Sequence, residues 1–78
     1  MTCYHFHVLD GDVRTDDAEG KELPHISAVQ AYALSVAAEF AYLTPLKGNQ
    51  RTIVVDAKDE SGRLIYKATA AIVGEWIA

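Results

Sequence analysis

The sequence has little cysteine and no long apolar run, and each shortage excludes a class of protein. Its single cysteine, Cys3, cannot form an internal disulfide and falls short of a zinc site built on paired cysteines. No basic stretch followed by an apolar run opens the chain, and its longest apolar region, residues 26–43, is too polar for a lone membrane span. We therefore expect a cytoplasmic protein that does not bind a membrane.

Positive charge is also scarce. The formal net charge is −4, and residues 10–22 hold the whole acidic excess, with six acidic residues against two basic ones. Because no basic stripe is present, the electrostatic attraction that dominates nucleic-acid affinity is missing. Nucleic acid is therefore not an expected partner.

The residue patterns typical of catalysis are missing as well. The five glycines are dispersed along the chain, which excludes a glycine-rich phosphate loop. No serine lies in a nucleophile elbow, and a chain of 78 residues has little room for a deep substrate pocket. The sequence therefore predicts a protein that is not an enzyme and that needs no cofactor.

Alternation of apolar and polar residues predicts two β-hairpins. The first pairs a strand at residues 3–9 with a short strand at residues 13–15 across an Asp-Gly turn. The second pairs residues 52–59 with residues 63–73. Each hairpin has one face that is rich in apolar residues and can cover a core.

One helix is predicted between the hairpins. Pro24 fixes its own φ and biases the residue before it to an extended shape. The helix then begins near Ser27, through a capping box with Gln30 or with His25 as the last residue outside it. It ends near Leu43, because a Thr-Pro pair follows.

These elements predict an α+β fold with the order ββαββ. The expected architecture is an antiparallel four-stranded sheet, with a short second strand, and one helix packed on one face. A single domain spans residues 1–78, of which about residues 74–78 form a tail.

The helix carries two apolar stripes. The core stripe recurs with the spacing of one helix face and should cover the sheet. The second stripe lies on the opposite side, where a surface helix normally carries charge, and Glu39 is the only charged residue of the helix. The core stripe consists of Val29, Ala33, Val36, Phe40 and Leu43. The second stripe consists of Ala31, Leu34, Ala38, Ala41 and Tyr42.

The second stripe has two explanations. An exposed apolar face on a small protein often marks an interface, but alanine is also the best helix former and needs no partner to explain it. The sheet favours association, because Leu9, Ile65, Ala71 and Val73 are expected to face away from the helix. We therefore predict a homo-oligomer, most simply a dimer, with the second stripe as its interface.

Cys3, His5 and His7 form the sharpest local pattern. They project from the same side of the first strand, and thiolate and imidazole are preferred ligands of zinc and copper. A fourth ligand would have to come from elsewhere, with His25 or an acidic residue as the only obvious donors. A strand with one polar, partly solvated face explains the same residues without a metal.

Four segments, taken in order, resemble a family of small bacterial proteins that is classed only as a domain of unknown function. They are the aromatic strand YHFHVLDG at residues 4–11, the turn DAEG at residues 17–20, the helix entry ELP at residues 22–24, and VDAKDESGR at residues 55–63. Members of that family commonly have aspartate after the proline, where this chain has His25. The resemblance implies the limits of the domain and a cytosolic bacterial setting, and it implies no activity, cofactor or catalytic residue.

Three hypotheses about function follow, and the first is the leading one. The first is a protein-interaction module that associates with itself and does no catalysis. The second is a small metal-binding protein that uses His5 and His7, with zinc as a possible metal. The third, by analogy with other compact α+β domains, is a regulator that acts beside nucleic acid.

Overall fold

The computed structural model describes residues 1–43 and 48–78, which form one helix and five strands. Leu43 is the last residue of the helix, and its side chain lies outside the described part. The elements in chain order are β1 (Thr2–Asp10), β2 (Val13–Thr15), β3 (Lys21–Leu23), α1 (Ser27–Leu43), β4 (Gln50–Lys58) and β5 (Leu64–Val73). The α+β fold, both hairpins and the single helix are confirmed.

The sheet is antiparallel, and four of its strands follow the order β2-β1-β4-β5. The fifth strand, β3, pairs with the first residues of β1. The prediction of four strands was wrong, because β3 is a fifth. A three-residue strand is too short to show a period of two, and β3 coincides with the segment that leads into the helix. Its Leu23 is buried in the core.

An enlarged bulge separates β2 from β3. Thr15 lies opposite Val8, and Lys21 lies opposite Tyr4. Three residues of β1, 5–7, therefore face five residues, 16–20, of the returning chain. The two extra residues force the backbone of residues 16–20 out of the regular ladder.

The helix begins at Ser27, as predicted, and a turn at His25 and Ile26 leads into it. The Ala28 N–H donates to His25 O at 3.0 Å, so His25 closes the first turn through its backbone carbonyl. Val29 N–H similarly donates to Ile26 O at 3.0 Å.

The core lies between α1 and one face of the sheet. The buried side chains come from β1, β3, α1, β4 and β5: Tyr4, Phe6, Val8, Leu23, Val29, Ala33, Ala37, Ile53, Val55, Ala57 and Ala68. Ala37 was missed by the predicted core stripe, whereas Val36 and Phe40 are half-buried at its margin. The predicted position of the Leu43 side chain falls outside the described residues.

A bulge in β5 corrects the predicted face of Ile65. Tyr66 pairs with Ala57, but Leu64 pairs with Lys58, so the register shifts by one residue between these pairs. An extra residue reverses the alternation of side chains beyond it. Ile65 therefore packs against the core instead of facing away from the helix, and Leu64 is 48 % exposed.

Across the described residues, no helix is both long enough and apolar enough to cross a membrane.

Candidate functional site

Asp17, in the bulge between β2 and β3, is the centre of a hydrogen-bond network. Its Oδ2 accepts the Phe6 N–H at 3.0 Å, and its Oδ1 accepts the Gly20 N–H at 2.9 Å. Its own N–H donates to His7 Nδ1 at 3.1 Å, and its carbonyl oxygen accepts from His5 Nδ1 at 2.9 Å. Three of these hydrogen bonds hold residues 16–20 against β1, and the fourth, from Gly20, closes the bulge on itself.

This Asp17 network fixes the protonated nitrogen of each neutral imidazole. A carbonyl oxygen only accepts, so His5 carries its proton on Nδ1. A backbone N–H only donates, so His7 Nδ1 is unprotonated and its proton is on Nε2. The two rings are stacked, with centroids 6.4 Å apart and an interplanar angle of 10°.

The electrostatics of the bulge favour ionised carboxylates. Burial alone raises the pKa of Asp17, but the hydrogen bonds from the Phe6 and Gly20 N–H groups and the nearby His5 and His7 outweigh it, so the pKa is lowered below its ordinary value of 3.8. The pKa of Asp16 is lowered chiefly by its hydrogen bond from Arg14, whose Nε lies 2.7 Å from Asp16 Oδ1.

The predicted metal ligands all contact the bulge. Cys3 Sγ lies 3.7 Å from the carbonyl oxygen of Glu19, and both histidines bind the Asp17 backbone. His25, one of the possible fourth ligands, is exposed between β3 and α1. Within residues 1–43 and 48–78, no group of three or more metal-binding side chains comes together. Metal binding by Cys3, His5 and His7 stays a prediction.

Sequence reasoning missed the role of Asp17 and that of a second aspartate, Asp10. Arg51 of β4 contacts the carboxylate of Asp10 through both Nε, at 3.1 Å from Oδ1, and Nη2. The side chains are 10 % and 20 % exposed, so this ion pair between β1 and β4 is largely shielded from water. Asp17 could have been found from its spacing to Gly20, because an aspartate often accepts a nearby backbone N–H in a turn. The Asp10 pair has no local signal, because its members are 41 positions apart in the sequence.

The predicted interface residues lie on the surface of α1, with one exception. Leu34 is 45 % exposed and Tyr42 is 88 % exposed, and Ala31 and Ala38 are also exposed. Ala41 is half-buried and packs against the core.

The ring of Tyr32 shows which way this surface points. It meets Phe6 of β1 edge to face, with centroids 4.7 Å apart, so this side of the helix faces β1. Leu34 follows two residues later, about 200° around the helix. It therefore faces the opposite way, toward β5. We call Ala31, Leu34 and Ala38 the helix flank.

One edge of β5 is open. β5 ends the strand order, so its far side pairs with no strand of the described residues. Gly74 N–H donates to Asn49 O at 2.6 Å, so these two residues form a hydrogen-bonded pair at the end of the ladder between β5 and β4. Along an antiparallel ladder, hydrogen-bonded pairs alternate with pairs that are not hydrogen-bonded. Every second residue before Gly74 thus directs its backbone toward β4, and the others direct theirs away. The outward-directed residues, which we call the β5 edge, are Lys67, Thr69, Ala71 and Val73.

Exposed apolar side chains continue beyond this edge. Val73 is 73 % exposed, and in the tail Trp76 is 84 % and Ile77 is 86 % exposed. The helix flank and the β5 edge therefore form a weakly charged surface on one side of the molecule, and the tail follows β5 along the chain.

A family model covers nearly the whole chain. The family is described as Domain of unknown function (DUF6894), and its model matches residues 3–71. No curated protein and no solved structure gives a significant match.

Proposed function

This chain belongs to the DUF6894 family, and because that membership supplies no activity, we propose from its surface that it is a non-enzymatic protein-interaction module that associates with itself. The observation that carries the proposal is the shared position of the helix flank and the β5 edge. Both lie on the same side of the molecule, and both are exposed.

The composition of this side supports burial against a protein partner. Leu34 supplies a large apolar side chain, and its alanine neighbours in the helix flank allow another helix or strand to approach closely. Glu39, the only charged residue of α1, lies about 140° from Leu34 around the helix, outside the flank. Charged residues are depleted in the cores of protein interfaces.

The edge strand supports the same proposal. An open strand presents unpaired N–H and C=O groups that pair readily with another chain. Natural proteins usually protect such edges with proline, clustered charges or short length, but β5 has ten residues, no proline and only one charge, Lys67. A partner that covers this edge would satisfy those groups.

Sedimentation equilibrium of the wild type and of Leu34→Glu tests the proposal. We expect the wild type to associate in the micromolar range and Leu34→Glu to be monomeric, because a buried unpaired carboxylate opposes association strongly. Val13→Glu is the matched control, since it also replaces an exposed apolar side chain with glutamate, but on β2 at the other end of the sheet. It should associate like the wild type. A wild type that stays monomeric at high micromolar concentration would contradict the proposal.

A further inference from the structure

We infer that two copies of this chain join through their β5 edges, antiparallel about a two-fold axis at Ala70, so that two sheets become one continuous sheet. The inference rests on the proposed self-association and adds the partner, the strand and the register. Antiparallel pairing of a strand with its own copy is self-complementary, as a two-fold interface requires.

The backbone selects a small set of registers. Only outward-directed residues can exchange hydrogen bonds with a neighbouring strand, and in β5 these are every second residue from Lys67 to Val73. Centring the axis on Ala70 pairs Lys67 with Val73 of the second copy, and Thr69 with Ala71 of the second copy. All four outward-directed residues of each strand then have a partner, and other centres leave at least one unpaired.

Charge favours the same register. The two Lys67 side chains are kept apart, because each lies opposite a valine. Glu75 follows Val73 by two residues, and residues two apart on an extended chain share a face. Glu75 of one copy is therefore a diagonal neighbour of Lys67 of the other, at a spacing that long side chains can bridge.

The register also explains the exposed tail. Beyond Val73 the chain continues alongside the first residues of β5 in the second copy. There Leu64, which the bulge turns out of the core, is 48 % exposed. Trp76 and Ile77 would lie beside it, so apolar residues exposed at both ends of β5 would cover one another.

The position of the helix completes the interface. α1 packs on β5 and β4 and reaches β1 only at its margin. In the joined sheet the two helices therefore flank the seam on the same face, each with its flank directed toward the other copy. Alanines at this position permit close approach of the helices.

Amide hydrogen exchange of the unmodified protein, followed by NMR, tests the inference directly. As protein concentration rises through the association range, the amides of Lys67, Thr69, Ala71 and Val73 should slow by at least ~10-fold. The intervening amides of β5, already bonded to β4, provide the internal reference. In Leu34→Glu, the outward-directed amides should exchange fast at every concentration.

A proline variant provides the second test. Thr69→Pro removes an N–H that makes no bond within the monomer, and edge strands tolerate such a change. We expect a folded monomer, with at least ~10-fold weaker association. Arg14→Pro, at an outward-directed position of β2, is the control and should associate normally.

The outcomes separate the two proposals. A wild type that associates while the outward-directed β5 amides stay unprotected overturns the β5 inference and leaves self-association standing. A folded Thr69→Pro variant that associates like the wild type also overturns the β5 inference and leaves self-association standing. If this variant does not fold, the exchange experiment alone decides. A wild type that remains monomeric overturns both.

Discussion

Asp17 shows how one side chain can organise a segment that has no regular structure. Residues 16–20 cannot continue the ladder, because two residues too many separate β2 from β3. The Asp17 carboxylate replaces the missing strand partner by accepting the N–H groups of Phe6 and Gly20. Buried N–H groups that lack such an acceptor are costly.

Asp17→Asn should therefore destabilise the fold at neutral pH. An amide offers one oxygen where the carboxylate offers two, so its nitrogen would oppose one of the two N–H groups. We expect a loss of about 1–3 kcal/mol in the free energy of unfolding, measured by urea denaturation. Asp12→Asn is the matched control, because Asp12 is exposed in the Asp-Gly turn region, and it should change stability by less than about 0.5 kcal/mol.

The loss of stability in Asp17→Asn should depend on pH. The pKa of Asp17 is lower in the folded chain than its ordinary value of 3.8, so its contribution is fully present above that value. It is lost as pH falls through the folded pKa. The stability gap between the wild type and Asp17→Asn should therefore be constant near neutral pH and shrink below about pH 4. A gap that widened in acid would contradict this assignment.

Gly20 is required both by its backbone conformation and by its surroundings. Its φ is +79°, and a Cβ there would lie 2.5 Å from Cys3 Sγ and 2.9 Å from Tyr4 O. Gly62 has a similar φ of +85° with no atom within 4 Å of its Cβ position. Gly62→Ala should thus cost about 1–2 kcal/mol from the backbone alone, and Gly20→Ala should cost clearly more. Equal losses in thermal or urea denaturation would show that the bulge yields without penalty.

At the scale of elements, the sequence predicts what depends on local periodicity. β1, the hairpin of β4 and β5, and both ends of α1 follow from alternation, from Pro24 and from the Thr-Pro pair. β3 and the bulge at Ile65 could not be predicted in this way, because a three-residue strand shows no period and an inserted residue reverses the alternation on which the reading depends. The Asp17 network was equally hidden, since it needs residues 16–20 folded against β1. Its histidines were found, but their partners were not.

The pairing of β1 with β4 should depend on the ion pair of Asp10 and Arg51. Both side chains are largely shielded from water, so removing one charge leaves the other poorly solvated. Asp10→Asn should lower the free energy of unfolding by about 2–3 kcal/mol, somewhat less than for a fully buried pair. Lys67→Met is the comparison, because Lys67 Nζ lies 3.9 Å from Asp56 Oδ1 and is 56 % exposed. At a concentration where the chain is monomeric, its loss should be within about 1 kcal/mol.

The whole molecule is more extended than its length requires. Its radius of gyration is 13.9 Å and its principal extents are 52 × 21 × 18 Å, whereas a compact chain of 78 residues has a radius near 11–12 Å. A small core therefore supports a long sheet, and a chain of this size buries only about 60 % of its unfolded surface. Joining two copies through β5 would add apolar burial and strand pairing at the open edge of the sheet.

Thermal stability should consequently depend on protein concentration. If folding and association are coupled, each tenfold rise in concentration stabilises the dimer by about 1.4 kcal/mol, which corresponds to an increase in Tm of up to about 4–5 °C for two chains of this size. Calorimetry over two decades of concentration measures this slope. Leu34→Glu should show none, and Val13→Glu should keep the wild-type slope. A slope that persists in Leu34→Glu would place the association elsewhere on the surface, because that substitution alters only the helix flank.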